Sequence, residues 1–319
     1  MLSFSYMRLG RSNSRVRRGL LALLLVGTAT VGAGCGASES GAQDGKPLVL
    51  TTFTVVADMV RNVAGDRVEV ASITKPGAEI HGYEPTPSDL KRAAQADVVF
   101  DNGLGLERWF EQFIDRADAR HVTLSEGVDA IPIAGDSEYA GKPNPHAWMS
   151  VANARIYVEN IRKGLTELDP EGAETYRANA ERYTRQLAQV GDFMRDELEH
   201  LPASKRALVS CEGAFSYLAR DFGLTERYLW PVNAEQEGTP KQIADVVTFV
   251  RDHDVPAVFC ESTVSDKAQR QVASESGARY GGVLDVDSLS QADGPVPTYR
   301  DLLRRDAETI VAGLTGGGA

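Results

Sequence analysis

The most regular hydrophobic pattern in the chain lies in its middle, between residues 169 and 201. Asp169 and Pro170 are typical of the first positions of a helix, and Pro202 is typical of the residue that ends one. The pattern therefore predicts one long helix from Asp169 to Leu201, about 45 Å in length. Apolar side chains recur there mostly every three or four positions, the spacing of one helix face, at Ala173, Tyr176, Ala180, Tyr183, Leu187, Val190, Met194 and Leu201.

Short apolar runs alternate with helical patterns on both sides of this helix. Such alternation is typical of parallel sheets, so the predicted fold class is α/β, with two parallel-sheet α/β lobes joined by one long rigid helix. We expect an N-terminal lobe over 48–168, the linking helix over 169–202 and a C-terminal lobe over 203–319. The predicted strands cover residues 48–53, 68–73, 98–101 and 121–124 in the first lobe, and 207–210, 228–229, 257–260 and 282–284 in the second.

The first 34 residues have the composition of an export signal. They contain five arginines and no acidic residue, and the apolar run over 20–31 is too short to span a membrane. Small residues then precede Cys35, as in a bacterial lipoprotein signal, whose cysteine is lipidated. We predict a signal peptide over 1–34, lipidation at Cys35 and a polar tether over 35–47. Plain secretory cleavage, and export by the twin-arginine route suggested by Arg17-Arg18, are alternatives that the sequence leaves open.

The chain that follows the leader is strongly acidic. The whole sequence holds 34 basic and 45 acidic residues, and removal of the five leader arginines leaves a net charge of −16. This charge argues against nucleic acid or an anionic lipid surface as the ligand, and it suits a protein that gathers cations. Cys211 and Cys260 each end a predicted strand of the second lobe. Both a disulfide between them and two buried thiols are compatible with the sequence.

Polar residues that follow predicted strands are candidates for a common site, because parallel sheets bind ligands at the carboxyl ends of their strands. Two imidazoles and two carboxylates suit a divalent cation, and without a thiolate they favour manganese or ferrous iron, with zinc as a further candidate. Among the candidates, Asp285 is an alternative to Asp287 as a ligand. Each of the two histidines, His81 and His146, could instead be an ordinary core or surface residue. Glu261 follows another predicted strand and is a candidate to support the ligands. The four candidate ligands are His81, His146, Glu212 and Asp287.

Longer sequence motifs surround these four residues. Because of these motifs, the chain resembles the solute-binding lipoproteins of zinc/manganese/iron ABC transporters (the cluster A-I type), and especially their manganese/iron branch. The resemblance implies that the same four residues are the metal ligands, with Asp287 rather than Asp285 completing the set. Many members carry an aspartate where this chain has Asn144, so the expected support of His146 is either this amide or a residue from elsewhere in the chain. The motifs are HGYEPTPSDL from His81, KPNPHAWMS around His146, SCEGAFSYLARDFGL around Glu212 and VDSLS around Asp287.

The resemblance also implies a function and a preferred metal. Zinc-type members carry a third histidine where this chain has Glu212, and often a histidine-rich loop before the second ligand, whereas residues 122–145 contain no histidine. A carboxylate in place of an imidazole moves the site toward Mn²⁺, with Fe²⁺ or Zn²⁺ as alternatives. We therefore expect a monomeric, lipid-anchored receptor on the extracytoplasmic face of the bacterial cell membrane. Its partners would be an ABC permease and its ATPase.

Three alternative functions stand beside this one. A zinc-specific receptor would keep the family and change the cargo. A metallohydrolase would need an open metal position and a general base, and a surface adhesin would need a protein-binding patch. Because no nucleophile motif accompanies the candidate ligands in the sequence, we expect no enzymatic activity. The acidic charge leads us to expect no nucleic-acid partner.

Overall fold

The computed structural model describes residues 45–110, 119–134, 139–232 and 238–316. The predicted signal peptide, Cys35 and most of the predicted tether lie outside the described residues. Within these ranges, no helix combines the length and the apolar character needed to cross a membrane.

The N-terminal half (residues 48–168) contains a parallel sheet with the strand order β2-β1-β3-β4. Leu50 of the inner strand β1 pairs with Ala71 on one side and with Val99 on the other. The inner strands are almost wholly buried, which explains their continuous apolar sequences. The elements of this sheet and its first two connections are β1 (Leu48–Thr51), α1 (Thr54–Ala64), β2 (Glu69–Ser72), α2 (Pro87–Ala93), β3 (Val98–Asp101) and β4 (Arg120–Thr123).

Two helices follow the sheet, α3 (Val151–Leu168) and α4 (Ala173–Glu199), and α4 is the long helix that the apolar stripe predicts. With 27 residues it is about 40 Å long. It begins at Ala173 rather than at Asp169, after a 3₁₀ turn over Pro170–Gly172. Asp169 does not cap the helix, because its carboxylate binds Arg67 Nε and the Tyr176 hydroxyl, each at 2.6 Å.

The C-terminal half (residues 203–316) contains two parallel strand pairs, β5–β6 and β7–β8, with β5 lying against β7. The Cys211–Cys260 disulfide joins β5 to β7 with a Cα–Cα distance of 4.9 Å, so of the two alternatives for these cysteines the structure shows the disulfide. The elements are β5 (Ala207–Glu212), α5 (Ser216–Phe222), β6 (Thr225–Trp230), α6 (Pro240–Asp252), β7 (Ala257–Glu261), α7 (Lys267–Ser276), β8 (Arg279–Leu284) and α8 (Tyr299–Thr315).

The long helix α4 packs against both halves. It lies on α1 and α3 of the N-terminal half and on α8 of the C-terminal half. One hydrophobic cluster includes Val60 of α1, Tyr183 of α4 and Leu303 of α8. In addition, the Asp58 carboxylate of α1 accepts a hydrogen bond from the backbone N–H of Tyr299, at 2.9 Å. The predicted α/β class, with parallel sheets and one long helix, is confirmed, while the domain boundaries stay a prediction.

Candidate metal centre

The four candidate ligands lie beyond strand ends in both halves. His81 lies in the connection between β2 and α2, and His146 directly precedes a 3₁₀ turn over Ala147–Met149. Glu212 is the last residue of β5, and Asp287 lies three residues beyond the end of β8. The topology therefore brings two histidines of one half toward two carboxylates of the other.

Three of these side chains, His81, His146 and Asp287, bring their ligand atoms together, and Glu212 approaches the two imidazoles. The two imidazole Nε2 atoms are 3.0 Å apart, and Glu212 Oε1 lies 3.4 Å from His81 Nε2 and 3.8 Å from His146 Nε2. Asp287 Oδ1 lies 4.0 Å from each imidazole Nε2. Donor atoms that bind one ion at about 2.1 Å are at most about 4.2 Å apart. The ligand atoms of His81, His146 and Asp287 thus form a compact group, all within 4.8 Å of one another, and Glu212 Oε1 lies beside both imidazoles.

The site is nearly closed to solvent and contains an unpartnered carboxylate oxygen. The side chain of His81 is 6% exposed, and those of the other three are at most 1% exposed. Asp287 Oδ2 accepts a hydrogen bond from Thr263 Oγ1 at 3.2 Å, but the buried Oδ1 has no hydrogen-bond donor among the described residues. Burial raises the pKa of Asp287. A buried carboxylate without a donor is costly unless a cation neutralises it, so this atom suits a metal ligand.

Asn144 fixes the orientation of His146. Its Oδ1 accepts a hydrogen bond from His146 Nδ1, at 2.9 Å, and another from the His146 backbone N–H, at 3.0 Å. Because an amide oxygen can only accept, Nδ1 carries the proton and Nε2 presents its lone pair to the site. Burial and the neighbouring His81 hold the pKa of His146 well below its usual range, so the ring is neutral, as metal binding requires.

The Asn144 amide also reaches across to the C-terminal half. Asn144 Nδ2 donates to the carbonyl of Gly213, the residue after Glu212, at 2.6 Å. A Cβ atom at position 213 would lie 2.7 Å from the Pro231 carbonyl oxygen. Glycine at this position therefore lets the end of β5 lie close to the chain that follows β6.

Glu261 supports Glu212 from the adjacent strand β7. Its two carboxylate oxygens lie 3.2 and 3.3 Å from the backbone nitrogen of Glu212, which donates to them. The Cys211–Cys260 disulfide joins the residues directly before these two glutamates. Burial raises the pKa of Glu261 to about 8. The hydrogen bonds and the disulfide together hold the strand end that carries Glu212.

Two residues that the sequence reasoning missed hold the ligand loops. The Glu79 carboxylate accepts hydrogen bonds from the backbone N–H groups of His81, at 2.6 Å, and Gly82, at 2.9 Å. Thr263, which donates to Asp287, comes two residues after β7. The rule that selected the ligands, a polar residue beyond a strand end, also applies to Thr263. Glu79 has only the weaker signal of a polar residue in a turn.

Asp285, the alternative ligand, is held elsewhere. Its Oδ2 lies 3.3 Å from Arg305 Nε, and its backbone N–H donates to Asp306 Oδ1 at 2.8 Å. His121, which we did not select, pairs with Asp101 of β3. The structure thus gives Asp285 and His121 partners outside the candidate ligand set.

The fold is a parallel-sheet α/β fold whose two halves lie on one long helix, and two imidazoles face two carboxylates between the halves. This combination is that of a solute-binding protein for a divalent cation. Comparison with known proteins agrees with this class. Residues 49–313 match the family described as "Zinc-uptake complex component A periplasmic". The iron-binding protein YfeA of Yersinia pestis is 51% identical over 267 residues, which cover 83% of this chain and 86% of YfeA. The manganese-binding lipoprotein MntA of Halalkalibacterium halodurans is 38% identical over 290 residues, 90% of this chain and 95% of MntA.

Solved structures show the same fold. The Mn-bound periplasmic metal binding protein from Candidatus Liberibacter asiaticus superimposes with a TM-score of 0.79 at 39% identity, covering 84% of this chain and 100% of that one. The periplasmic zinc binding protein TroA from Treponema pallidum gives a TM-score of 0.77 at 27% identity, covering 85% of this chain and 99% of TroA.

The chain therefore belongs to the zinc-uptake complex component A family of metal-binding solute-binding proteins, and the predicted family is confirmed. Its members are transport proteins rather than enzymes, which confirms the prediction of no enzymatic activity and removes the metallohydrolase alternative. They are components of ABC metal transporters, which implies a permease and an ATPase as partners.

Proposed function

We propose that this protein is an extracytoplasmic, lipid-anchored receptor that binds one Mn²⁺ or Fe²⁺ ion and delivers it to an ABC importer. The ion would be held by His81, His146, Glu212 and Asp287. The observation that carries the proposal is Asp287 Oδ1, a buried oxygen without a hydrogen-bond donor among the described residues that lies 4.0 Å from both imidazoles. A bound cation would neutralise it.

Glu212 supports manganese or iron over zinc as the cargo. A carboxylate is a harder ligand than imidazole, and it can bind through both oxygens and so raise the coordination number. The relatives from Halalkalibacterium and Yersinia are named for manganese and iron respectively. Because affinity generally rises from manganese through iron to copper, preference for manganese would depend on site geometry and on metal supply.

The test is elemental analysis of the purified full chain, followed by titration of the metal-free protein with Mn²⁺, Fe²⁺ and Zn²⁺. We expect one ion per chain. Asp287→Asn should weaken Mn²⁺ binding by more than about 100-fold, beyond the effect typical of contacts outside the ligand set. Asp285→Asn is the matched control, since it changes a neighbouring buried carboxylate that is held by Arg305. Equal losses in the two variants would contradict the ligand assignment, and tight retention of zinc alone would contradict the proposed cargo.

The lipid anchor is proposed to be Cys35, since the small residues that end the leader precede it as in a lipoprotein signal and several relatives are named lipoproteins. Cys35→Ser should release the protein from the membrane fraction and abolish incorporation of labelled fatty acid. We also propose that the receptor is a monomer, with an N-terminal lobe over 48–168, a linking helix over 169–202 and a C-terminal lobe over 203–319. Light scattering of the purified protein tests the monomer, and a dimer mass would contradict it.

A further inference from the structure

Ser288, directly after Asp287, joins two segments of the opposite half. Its Oγ accepts a hydrogen bond from the Gly77 backbone N–H at 2.7 Å, and it lies 3.3 Å from Thr54 Oγ1. Thr54 Oγ1 in turn accepts from the Leu289 backbone N–H at 2.9 Å. Thr54 and Ser288 are only 6% and 5% exposed. These two hydroxyls therefore form a buried bridge between the segment that carries Asp287 and the N-terminal half.

The bridge reaches the loop that carries His81. Gly77 lies four residues before His81 in the connection between β2 and α2, and Thr54 is the first residue of α1. Each hydroxyl already accepts a backbone N–H and still has its own hydrogen, so one can donate to the other across the 3.3 Å that separates them. Hydrogen bonds that do not involve the ligand side chains thus hold the spacing between the His81 loop and the Asp287 segment.

The opposite side of the site is joined more extensively. There Asn144 donates to Gly213 at 2.6 Å, the Tyr217 hydroxyl donates to the Asn144 carbonyl at 2.7 Å, and Trp148 Nε1 donates to the Val286 carbonyl at 3.1 Å. Apart from the 3.4 Å contact between the ligands His81 and Glu212, the hydrogen bonds found among the described residues between residues 75–82 and the C-terminal half are those of Ser288. His81 is also the most exposed of the four candidate ligands. The His81 side is therefore the one whose attachment depends on the hydroxyl bridge.

We propose that Ser288 and Thr54 are positioning residues that hold the His81 loop against the Asp287 segment and thereby set the rate at which the metal leaves. The inference rests on the proposed function. A metal bound by His81 and Asp287 requires the same spacing between their segments that the hydroxyl bridge imposes. Metal binding and the hydroxyl bridge therefore stabilise each other. Because neither hydroxyl is a ligand, loss of the bridge changes retention of the metal without changing which metal is preferred.

The test measures metal dissociation from the Mn²⁺-loaded full chain after addition of excess chelator. Ser288→Ala and Thr54→Val each remove one hydroxyl, and each should speed dissociation about five- to tenfold, the effect of losing a buried hydrogen bond. Thr54→Ser keeps the hydroxyl and should restore the parent rate. Mn²⁺ should leave the double variant Thr54→Val/Ser288→Ala much more slowly than the product of the two single accelerations predicts, because both substitutions remove the same bridge.

Ser290→Ala is the matched control. Ser290 Oγ accepts the Val296 backbone N–H at 3.0 Å, within the same segment and without a bond to the His81 loop. Its dissociation rate should equal that of the parent. Hydrogen exchange should show faster exchange over residues 75–82 in Ser288→Ala and unchanged exchange around Asn144.

Two outcomes would overturn the inference: a parent-like dissociation rate in Ser288→Ala, or an equal acceleration in Ser290→Ala. Failure of the parent itself to retain a metal would instead overturn the proposed function, so the two failures are distinguishable. The ratio of Mn²⁺ to Zn²⁺ affinity should not change in Ser288→Ala.

Discussion

Asn144 donates a hydrogen bond to the carbonyl of Gly213, at 2.6 Å, across the boundary between the two halves. Its side-chain oxygen meanwhile accepts the Nδ1 proton of His146, at 2.9 Å. A carboxylate can accept but cannot donate, so an aspartate at position 144 could orient the imidazole but could not make the bond to Gly213. The asparagine therefore couples the orientation of His146 to the position of the strand end that carries Glu212.

Removing this amide should weaken metal binding. We expect Asn144→Ala to lower Mn²⁺ affinity by about 10- to 100-fold, because His146 loses the partner that fixes its tautomer and the link to Gly213 is lost. Titration of the metal-free protein measures this change. Asn179→Ala is a matched control, since Asn179 also donates to a backbone carbonyl, that of Val63 at 3.0 Å, far along the chain from any ligand. An equal loss in both variants would mean that Asn144 acts through general stability.

Replacing Glu212 by histidine should move the selectivity toward zinc. The variant Glu212→His exchanges a carboxylate, which can bind through two oxygens, for a single borderline nitrogen donor. We expect the ratio of Zn²⁺ to Mn²⁺ affinity to rise by about tenfold or more, as measured by competitive titration. Glu212→Gln controls for loss of the charge alone. If Glu212→His keeps the metal ranking of the parent, Glu212 is not the selectivity position.

The Cys211–Cys260 disulfide should contribute substantially to stability. It closes a loop with a sequence separation of 49, for which loop-closure entropy predicts about 4 kcal/mol. We expect Cys211→Ala/Cys260→Ala to lower the free energy of unfolding by about 2–4 kcal/mol in chemical denaturation. Reduction of the parent should lower its stability by a similar amount and leave the variant unchanged. A parent that is insensitive to reductant would contradict this prediction.

Glu226 should make stability depend on pH. Its carboxylate accepts hydrogen bonds from the Phe215 backbone N–H at 3.2 Å and from Ser216 Oγ at 2.5 Å, and burial raises its pKa from 4.5 to about 7. The folded protein therefore holds this proton more tightly than the unfolded chain does. The resulting stability is fully present below the unfolded pKa and is lost as pH rises through the folded pKa.

The comparison with Glu226→Gln isolates this effect. Between about pH 4.5 and 7.5, the free energy of unfolding of the metal-free parent should fall relative to that of Glu226→Gln by an amount on the order of 1–3 kcal/mol. Denaturant unfolding at a series of pH values measures the difference. Parallel curves for the two proteins across this range would show that Glu226 keeps an ordinary pKa.

Local patterns in the sequence predicted the strands, the long helix and the fold class, although the long helix begins at Ala173 rather than at Asp169. The strands are short apolar runs, and the long helix has one continuous stripe of apolar side chains, because burial determines the spacing of apolar residues within each element separately. The same logic selected His81, His146, Glu212 and Asp287, since parallel strands place the residues after them at one edge. Between Asp285 and Asp287 this logic could not choose, and the motif resemblance was needed.

Other features depend on which elements become neighbours, and only the tertiary structure decided them. Asp169 has the residue type of a helix cap, but its carboxylate binds Arg67, which lies 102 positions earlier in the sequence. The pairing of Cys211 with Cys260 required that β5 lie against β7. The bridge from Ser288 to Gly77 joins residues 211 positions apart. The spacing of buried residues along the sequence is set by the helix or strand to which they belong. The hydrogen-bond partner of a side chain is set instead by packing between elements, and no local pattern records that packing.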